Sequence, residues 1–321
     1  MSLLPHTTVL LHEAVSSLEL RPGDTVIDCT VGGGGHTQLL AEMVGTQGRV
    51  IGLDRDTTAL QLAYARLRDK DLHSRVELVH GAFSEVAKVV EERHLQGKIR
   101  GILADIGVSS MHLDTGSRGF SFQSEGPLDM RMDPSRGMTA ADLVNTESEE
   151  GLTQIFRDYG EEPKARLLAR KIVAARQQNP FHSTLQLAEF VKENIHYPTP
   201  SRKHPATRIF QALRIAVNDE LGELKKLLAD GLQVLAPGGR LAIISFHSLE
   251  DRIVKEYFVE CSGKNKANAI PRGLPIDAKS MALLTNASAK IIKPFPISPS
   301  PEEILHNPRA RSAKLRVMEK I

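Results

Sequence analysis

The chain is expected to fold as an α/β protein, a doubly wound parallel sheet interrupted by a mostly helical insert. Three observations predict it. Short apolar runs alternate with amphipathic ones from residue 24 to residue 110. A glycine run, "DCTVGGGGH" (28–36), separates the first apolar run from the first helical pattern. The alternation then stops and resumes only at "GGRLAIISFHS" (238–248).

The elements follow in order. "DTVIDCT" (24–30) is a strand entered from the turn "RPG", and "HTQLLAEMVG" (36–45) is a helix closed by Gly45. "GRVIGLDRD" (48–56), "SRVELVHGAF" (74–83) and "IRGILADIGVSS" (99–110) are further strands; "TALQLAYARLRDK" (58–70) and "SEVAKVVEERHL" (84–95) are the helices between them. Strands this continuously apolar belong in a parallel sheet covered on both faces. A gap of more than a hundred residues before the next strand is too long for one crossover, so an insert is expected. Residues 111–137, rich in Gly, Ser, Met and Asp, read as a long ordered loop. Residues 139–195 read as helices, with "STLQ" (183–186) in capping-box form. "YPTPSRKHP" (197–205) reads as a linker, and 206–235 returns as one helix or two. The expected organisation is a discontinuous sheet domain, 1–112 and 206–321, around an insert, 113–205.

Composition sets bounds. The 321 residues carry a net charge of +2 and no tryptophan, so nucleic acid would have to be met by a local patch. Cys29 and Cys261 form no CxxC pair, which speaks against a zinc site and a disulfide framework. The apolar start "MSLLPHTTVLLHEAV" is broken by Pro5, His6, His12 and Glu13 and is neither a signal peptide nor a membrane span; the cytoplasm is the expected location.

The glycines at 32–35 follow a strand and open a helix, at the edge where such sheets bind ligands. Asp54 lies 20 residues after Gly34, the offset of a carboxylate that accepts from ribose hydroxyls. A dinucleotide fingerprint would need glycine at 37, which is Thr37. Asp28 beside the loop suits an amine-bearing ligand better than a pyrophosphate. S-adenosylmethionine has ribose, adenine and a charged amino-acid tail without phosphate. Asp-x-Thr-x-Gly-x-Gly (28–34) is close to the D-x-G-x-G-x-G of class I methyltransferases, with Thr30 in place of the first glycine. Phe83 in "GAF" stands where adenine would pack, and is equally a candidate core residue.

"HTTVLLHEAV", "GGGGH", "DRD", "HGAFS", "GVSS", "RGFSF", "GPLDMRMDP", "KHPATRIFQALRI", "LAPGGRLAIISFHSLEDRIVK" and "NPRARSAKLR" resemble the small-subunit ribosomal RNA methyltransferase H (RsmH/MraW) family, from His6 to about Arg316. The resemblance implies a Rossmann-like class I methyltransferase that uses S-adenosylmethionine to methylate the exocyclic amino nitrogen of a cytosine in the decoding region of 16S rRNA. It implies cofactor contacts at Gly34, Gly35, His36, Asp54, Phe83, Asp105 and His112; at the last, relatives carry Gln, and both side chains hydrogen-bond. The implied partner is 16S rRNA within an assembled or nearly assembled 30S subunit. No metal is implied, and the oligomeric state stays open, a homodimer included.

Methyl transfer releases a neutral thioether, so the demand falls on the nucleophile. A cytosine amino nitrogen is poor, its lone pair delocalised into the ring. An acceptor for the amino hydrogens would help, and Asp105 is the candidate catalytic residue. The competing role for Asp105 is as a cofactor or loop ligand. Phe120 and Phe122 are candidates for stacking on an extruded base, or for packing the insert. His247 and Ser248 are candidate substrate contacts, with a turn histidine as the alternative. Arg208, Gln211, Arg214 and Asn218 share a helix face, with Lys203 and His204 before it; Arg309, Arg311, Lys314 and Arg316 add a basic tail. These suit phosphate, or simply form solvated faces. A nicotinamide oxidoreductase and a non-catalytic RNA-binding module are the rival readings; Thr37 speaks against the first, and Gly34, Asp54 and Asp105 against the second.

Overall fold

A computed structural model describes residues 8–197, 204–264 and 285–321. The chain divides into two compact units: Met1–Gly107 with Leu221–Ile321, and Val108–Glu220.

The first unit is built on a seven-stranded sheet of order β3-β2-β1-β4-β5-β7-β6. The strands are β1 (Thr25–Asp28), β2 (Arg49–Asp54), β3 (Val76–His80), β4 (Ile99–Asp105), β5 (Leu235–Ser245), β6 (Ala289–Ile291) and β7 (Lys314–Lys320). β1 to β5 run parallel; β7 is antiparallel to both its neighbours. Alternate strand residues enter two cores. Ile27, Ile51, Ile102 and Ile243 pack with Val86, Val89 and Val90 of α4 (Val86–Glu92), with Leu224, Leu227 and Leu228 of α11 (Glu220–Val234), and with Val254 and Phe258 of α12 (Ser248–Cys261). Val26, Val50, Leu103 and Ala242 pack with Ala14 and Val15 of α1 (Leu11–Ser17), with Leu40 and Val44 of α2 (Gly35–Val44), and with Leu67 of α3 (Thr57–Asp69). Burial on both faces therefore explains why the strands at the centre of the sheet read as largely apolar runs. Strand order reverses between β1 and β4, and a sheet of this kind binds ligands outside the carboxyl ends at that point.

The second unit holds α5 (Ser110–Asp114), α6 (Ala140–Thr146), α7 (Glu149–Asp158), α8 (Ala165–Arg176), α9 (Thr184–Asn194) and α10 (Ala206–Asn218). Side-chain oxygens of Thr139, Ser148 and Ser183 cap α6, α7 and α9. At Ser183 only half of the expected capping box forms: Gln186 reaches back to the N–H of His182 instead. The loop before α6 is ordered by Arg118, which donates to the carbonyls of Arg131 and Met132, and by buried Asn218, which accepts from Met132 N and donates to Met130 O.

This unit is longer than the insert expected at 113–205. α10 buries Ile209, Phe210, Ala212 and Leu213 in the insert's own core beside Leu152, Phe156 and Leu187, so it belongs there. The 206–235 segment is two helices, broken at Asp219, whose φ of 46° is left-handed. The C-terminal segment expected as a basic tail is strand β7 in part. Lys314 and Arg316 both bind Asp251 of α12, at 3.0 and 2.8 Å, and the Arg316 guanidinium lies 4.3 Å from the Phe295 ring. Arg316 is thus a buried ion-pair partner and not a phosphate contact. Arg309 and Arg311 are exposed, and Lys203 lies outside the described residues.

Candidate active site

The turn between β1 and α2 is shaped on both sides. Asp54, at the carboxyl end of β2, accepts from Gly32 N at 2.8 Å with Oδ2 and from Asp56 N at 2.8 Å with Oδ1. Arg66 of α3 donates to the Gly33 carbonyl at 3.0 Å. The glycines are needed for different reasons. A Cβ on Gly34 would lie 3.1 Å from Ala63, and one on Gly35 would lie 1.9 Å from Thr8 Oγ1. At these two positions the chain itself takes the space that the sequence reading gave to a ligand. Gly32, with φ of 50°, has nothing within 4 Å of its absent Cβ, so the open side of the turn is there.

Asp28 is not aimed at a ligand amine as its position in sequence suggested. It is fully buried; Oδ2 accepts from the Thr37 hydroxyl at 2.6 Å and Oδ1 from Thr30 N at 3.1 Å. Thr37 therefore holds the loop from below where a dinucleotide site has its third glycine. Burial pushes the Asp28 carboxyl up to about 6.

Asp105 ends β4. Its main-chain N–H donates to Thr30 Oγ1 at 2.6 Å. Its Oδ1 is buried with no hydrogen-bond partner among the described residues, and Oδ2 stands 3.9 Å from Nδ1 of buried His36. Burial, then the negative charges of Asp28 and Glu250, raises the Asp105 carboxyl well above the ordinary carboxylate range. Phe83, half-buried after β3, packs on the core beside α4, with the Arg55 guanidinium 5.6 Å from its ring centroid; Glu223 pairs with Arg55 at 3.1 Å. After β5, buried Glu250 accepts from the main-chain N–H groups of Phe246 and His247. The His247 Nε2 approaches Glu250 Oε1 to 2.9 Å, out of hydrogen-bond alignment. Ser248 is exposed at the first turn of α12. Gly34, Gly35, His36, Asp54, Phe83 and Asp105 thus lie in one unit at the carboxyl ends of β1, β2, β3 and β4, with His247 and Ser248 after β5.

His112, Phe120, Phe122, Arg208 and Arg214 belong to the second unit. His112 is buried, accepts from Ser109 N through Nδ1 and stacks on Phe120 at 4.8 Å. Phe120 is itself buried in the insert's core, which corrects its reading as a stacking platform for a base. Phe122 is half-buried, 4.9 Å from the His204 ring and 4.8 Å from Phe210. The polar stripe on α10 mostly faces its own unit. Arg214 makes two 2.8 Å bonds to Glu220, Gln211 donates to the Tyr159 carbonyl, and Asn218 is spent on the loop. Arg214 is therefore a structural ion-pair partner. Only Arg208 of the four is exposed, near buried Glu162 at 3.8 Å and 5.9 Å from the Tyr197 ring centroid.

The donor set fits a ligand with a ribose, an amine and a positive centre. The groups at this edge are acceptors: the Asp54 carboxylate, which holds Gly32 N and Asp56 N, and the orphaned Oδ1 of Asp105. No lysine of phosphate-binding type follows the glycines. Three residues that shape this site were assigned no role from the sequence: Arg66, visible only as a charge on a helical pattern, Glu250, inside the "LAPGGRLAIISFHSLEDRIVK" stretch, and Thr30, visible as a departure from the glycine pattern.

A model of the MraW methylase family matches residues 3–321. The ribosomal RNA small subunit methyltransferase H of Syntrophotalea carbinolica is 48% identical over 323 residues, covering 98% of each chain. Among solved structures, an rRNA methylase from Streptococcus thermophilus aligns over 98% of each chain at 13% identity and a TM-score of 0.40. Fibrillarin of Aeropyrum pernix, solved with S-adenosyl-L-methionine, aligns over 95% of this chain and 73% of its own at 10% identity, with a TM-score of 0.35.

Proposed function

The chain belongs to the MraW methylase family, and from that premise we propose that it transfers a methyl group to the exocyclic amino nitrogen of a cytosine in the decoding region of 16S rRNA. S-adenosylmethionine, when bound, supplies an electrophilic methyl on a sulfonium. The observation that carries the reading is the pairing of an open glycine turn at Gly32 with the half-buried Asp105, whose Oδ1 is buried without a partner among the described residues, across the strand-order reversal.

The residues divide the work. Asp54 fixes the turn and is the acceptor for ribose hydroxyls, and Phe83 offers a ring face for adenine. Gly34, Gly35 and His36 shape the start of α2, whose N-terminal N–H groups face the ligand. Asp105 takes a hydrogen bond from the amino group as that nitrogen becomes positive, then accepts its proton. His247 and Ser248, after β5, contact the RNA. In the second unit, exposed Arg208 and half-buried Phe122 meet RNA. Among the described residues no helix is long and apolar enough to cross a membrane. A cytoplasmic enzyme acting on an assembled or nearly assembled 30S subunit, as a monomer or a homodimer, completes the reading.

The test is turnover with methyl-labelled cofactor on 30S particles, followed by nucleoside mass mapping. Label on any atom other than a cytosine amino nitrogen would reject the assignment.

A further inference from the structure

Thr30 stands where the glycine-rich pattern of class I methyltransferases has a glycine, and the structure shows what its side chain does. β1 and β4 diverge here. Cys29 N still donates to Leu103 O of β4 at 2.8 Å, but Val31 N has gone over to Leu53 O of β2 at 3.1 Å. Between them, the Asp105 N–H has left the parallel ladder and is received by Thr30 Oγ1 at 2.6 Å. A glycine would leave that part-buried donor to water or to nothing. Thr30 is fixed in turn by its own N–H, which donates to buried Asp28 at 3.1 Å. The other flank of β4 stays with β5, where Ile106 N donates to Ile244 O at 3.0 Å.

The Asp105 carboxyl accepts no hydrogen bond from a described residue; its Oδ2 stands 3.9 Å from His36 Nδ1. With no hydrogen bond to hold the carboxyl, its placement depends on where the backbone of Asp105 is held. We propose that Thr30 is a positioning residue: its hydroxyl ties the cofactor-binding turn to the backbone of Asp105 and so aims the Asp105 carboxyl. This rests on the reading of Asp105 given above. The Thr30 hydroxyl bonds the Asp105 main-chain N–H and not its carboxyl.

The experiment uses the full chain with Thr30→Ser, Thr30→Val, Asp105→Asn and the double variant Thr30→Val/Asp105→Asn. S-adenosylmethionine affinity is read by calorimetry, kcat on 30S particles, and folding by melting curves. Thr30→Val should lower affinity and kcat each by about tenfold, and Thr30→Ser should restore both to within about threefold of wild type. In the Asp105→Asn background, Thr30→Val should cost no further affinity. If Thr30→Val does not fold, Thr30→Gly, which restores the pattern's own residue, is read in its place. A Thr30→Val enzyme equal to wild type, or a Thr30→Ser enzyme as impaired as Thr30→Val, overturns the proposal. So do additive losses in the double variant, with the Asp105 reading left standing. An Asp105→Asn enzyme that binds and turns over normally sinks the Asp105 reading itself, and the role of Thr30 with it.

Discussion

Asp54 and Gly32 are joined by a 2.8 Å hydrogen bond from the glycine N–H to Oδ2, while the other carboxylate oxygen holds Asp56 N. The residue proposed for the ribose is therefore also a strut of the glycine turn. Asp54→Ala should weaken S-adenosylmethionine binding by on the order of 2 kcal/mol and lower the melting temperature as well. Asp54→Asn, which keeps one acceptor, should retain more of the melting temperature than of the affinity. Calorimetry showing unchanged affinity in both variants would reject the ribose assignment.

Asp28 gives the fold a pH dependence. Its carboxyl titrates at 3.8 as a free group and at about 6 when buried here, so the folded state holds the proton more tightly. The stability this contributes is fully present below pH 3.8 and is lost as the pH rises through about 6. The loss amounts to about 3 kcal/mol. Asn at position 28 can still accept from Thr30 N and donate to the Thr37 hydroxyl. Urea midpoints should fall between pH 4 and pH 7 for the wild type relative to Asp28→Asn; parallel curves would show that Asp28 does not titrate in this window.

Asp105 is raised by burial and by two neighbouring acids, so it holds a proton in the free enzyme more readily than an ordinary carboxyl. A cationic cofactor favours the ionised form. Binding should therefore release a proton and tighten as the pH rises. Calorimetry in buffers of different ionisation enthalpy measures that release directly, and Asp105→Asn should abolish it. If the variant also loses more turnover than affinity, Asp105 acts in the transition state; equal losses make it a cofactor ligand only.

Arg208 and Arg214 should separate cleanly. Arg214→Gln leaves Glu220 buried without its two bonds, and should destabilise the fold by about 3 kcal/mol. Arg208→Gln should leave the melting curve nearly unchanged and flatten the salt dependence of RNA binding by up to about one counterion. A salt slope that responds to neither variant would move the RNA contact elsewhere in the second unit.

Gly35→Ala places a methyl 1.9 Å from Thr8 Oγ1 and should cost about 1–3 kcal/mol. Thr8→Ala should recover part of that cost. Gly32→Ala meets no atom, and its penalty should fall on cofactor affinity more than on folding beyond the left-handed strain of about 1 kcal/mol. Identical stability profiles for the two glycine variants would contradict this division.

The parallel strands were legible because burial of the central ones on both faces leaves a largely apolar signature, and the glycine turn with Asp54 was legible because its spacing is local. β7 was not: the alternation of Leu315 and Val317 with Lys314 and Arg316 is a strand pattern, but the charges dominated it, and their partner Asp251 lies far off in sequence. Arg214 read as a surface cation because the break at Asp219, which brings Glu220 back to it, has no strong sequence marker. Gly34 and Gly35 were credited to a ligand because the atoms that exclude a side chain there belong to Ala63 and Thr8. Each miss is a tertiary partner that a single sequence does not announce.

Since β4 and β5 pair directly, with Ile102 opposite Leu241, the whole second unit must be looped out before the centre of the sheet can close. An unstructured loop of that length carries a closure entropy that a compact one avoids. The second unit is one continuous stretch with its own core, so it is suited to form first and to leave the two halves of the sheet a shorter span to search. The expected order of events is collapse around Leu152, Phe156 and Leu168, then pairing of β4 with β5. Pulse-labelled hydrogen exchange during refolding reads that order, and protection of β5 ahead of α7 and α8 would reverse it.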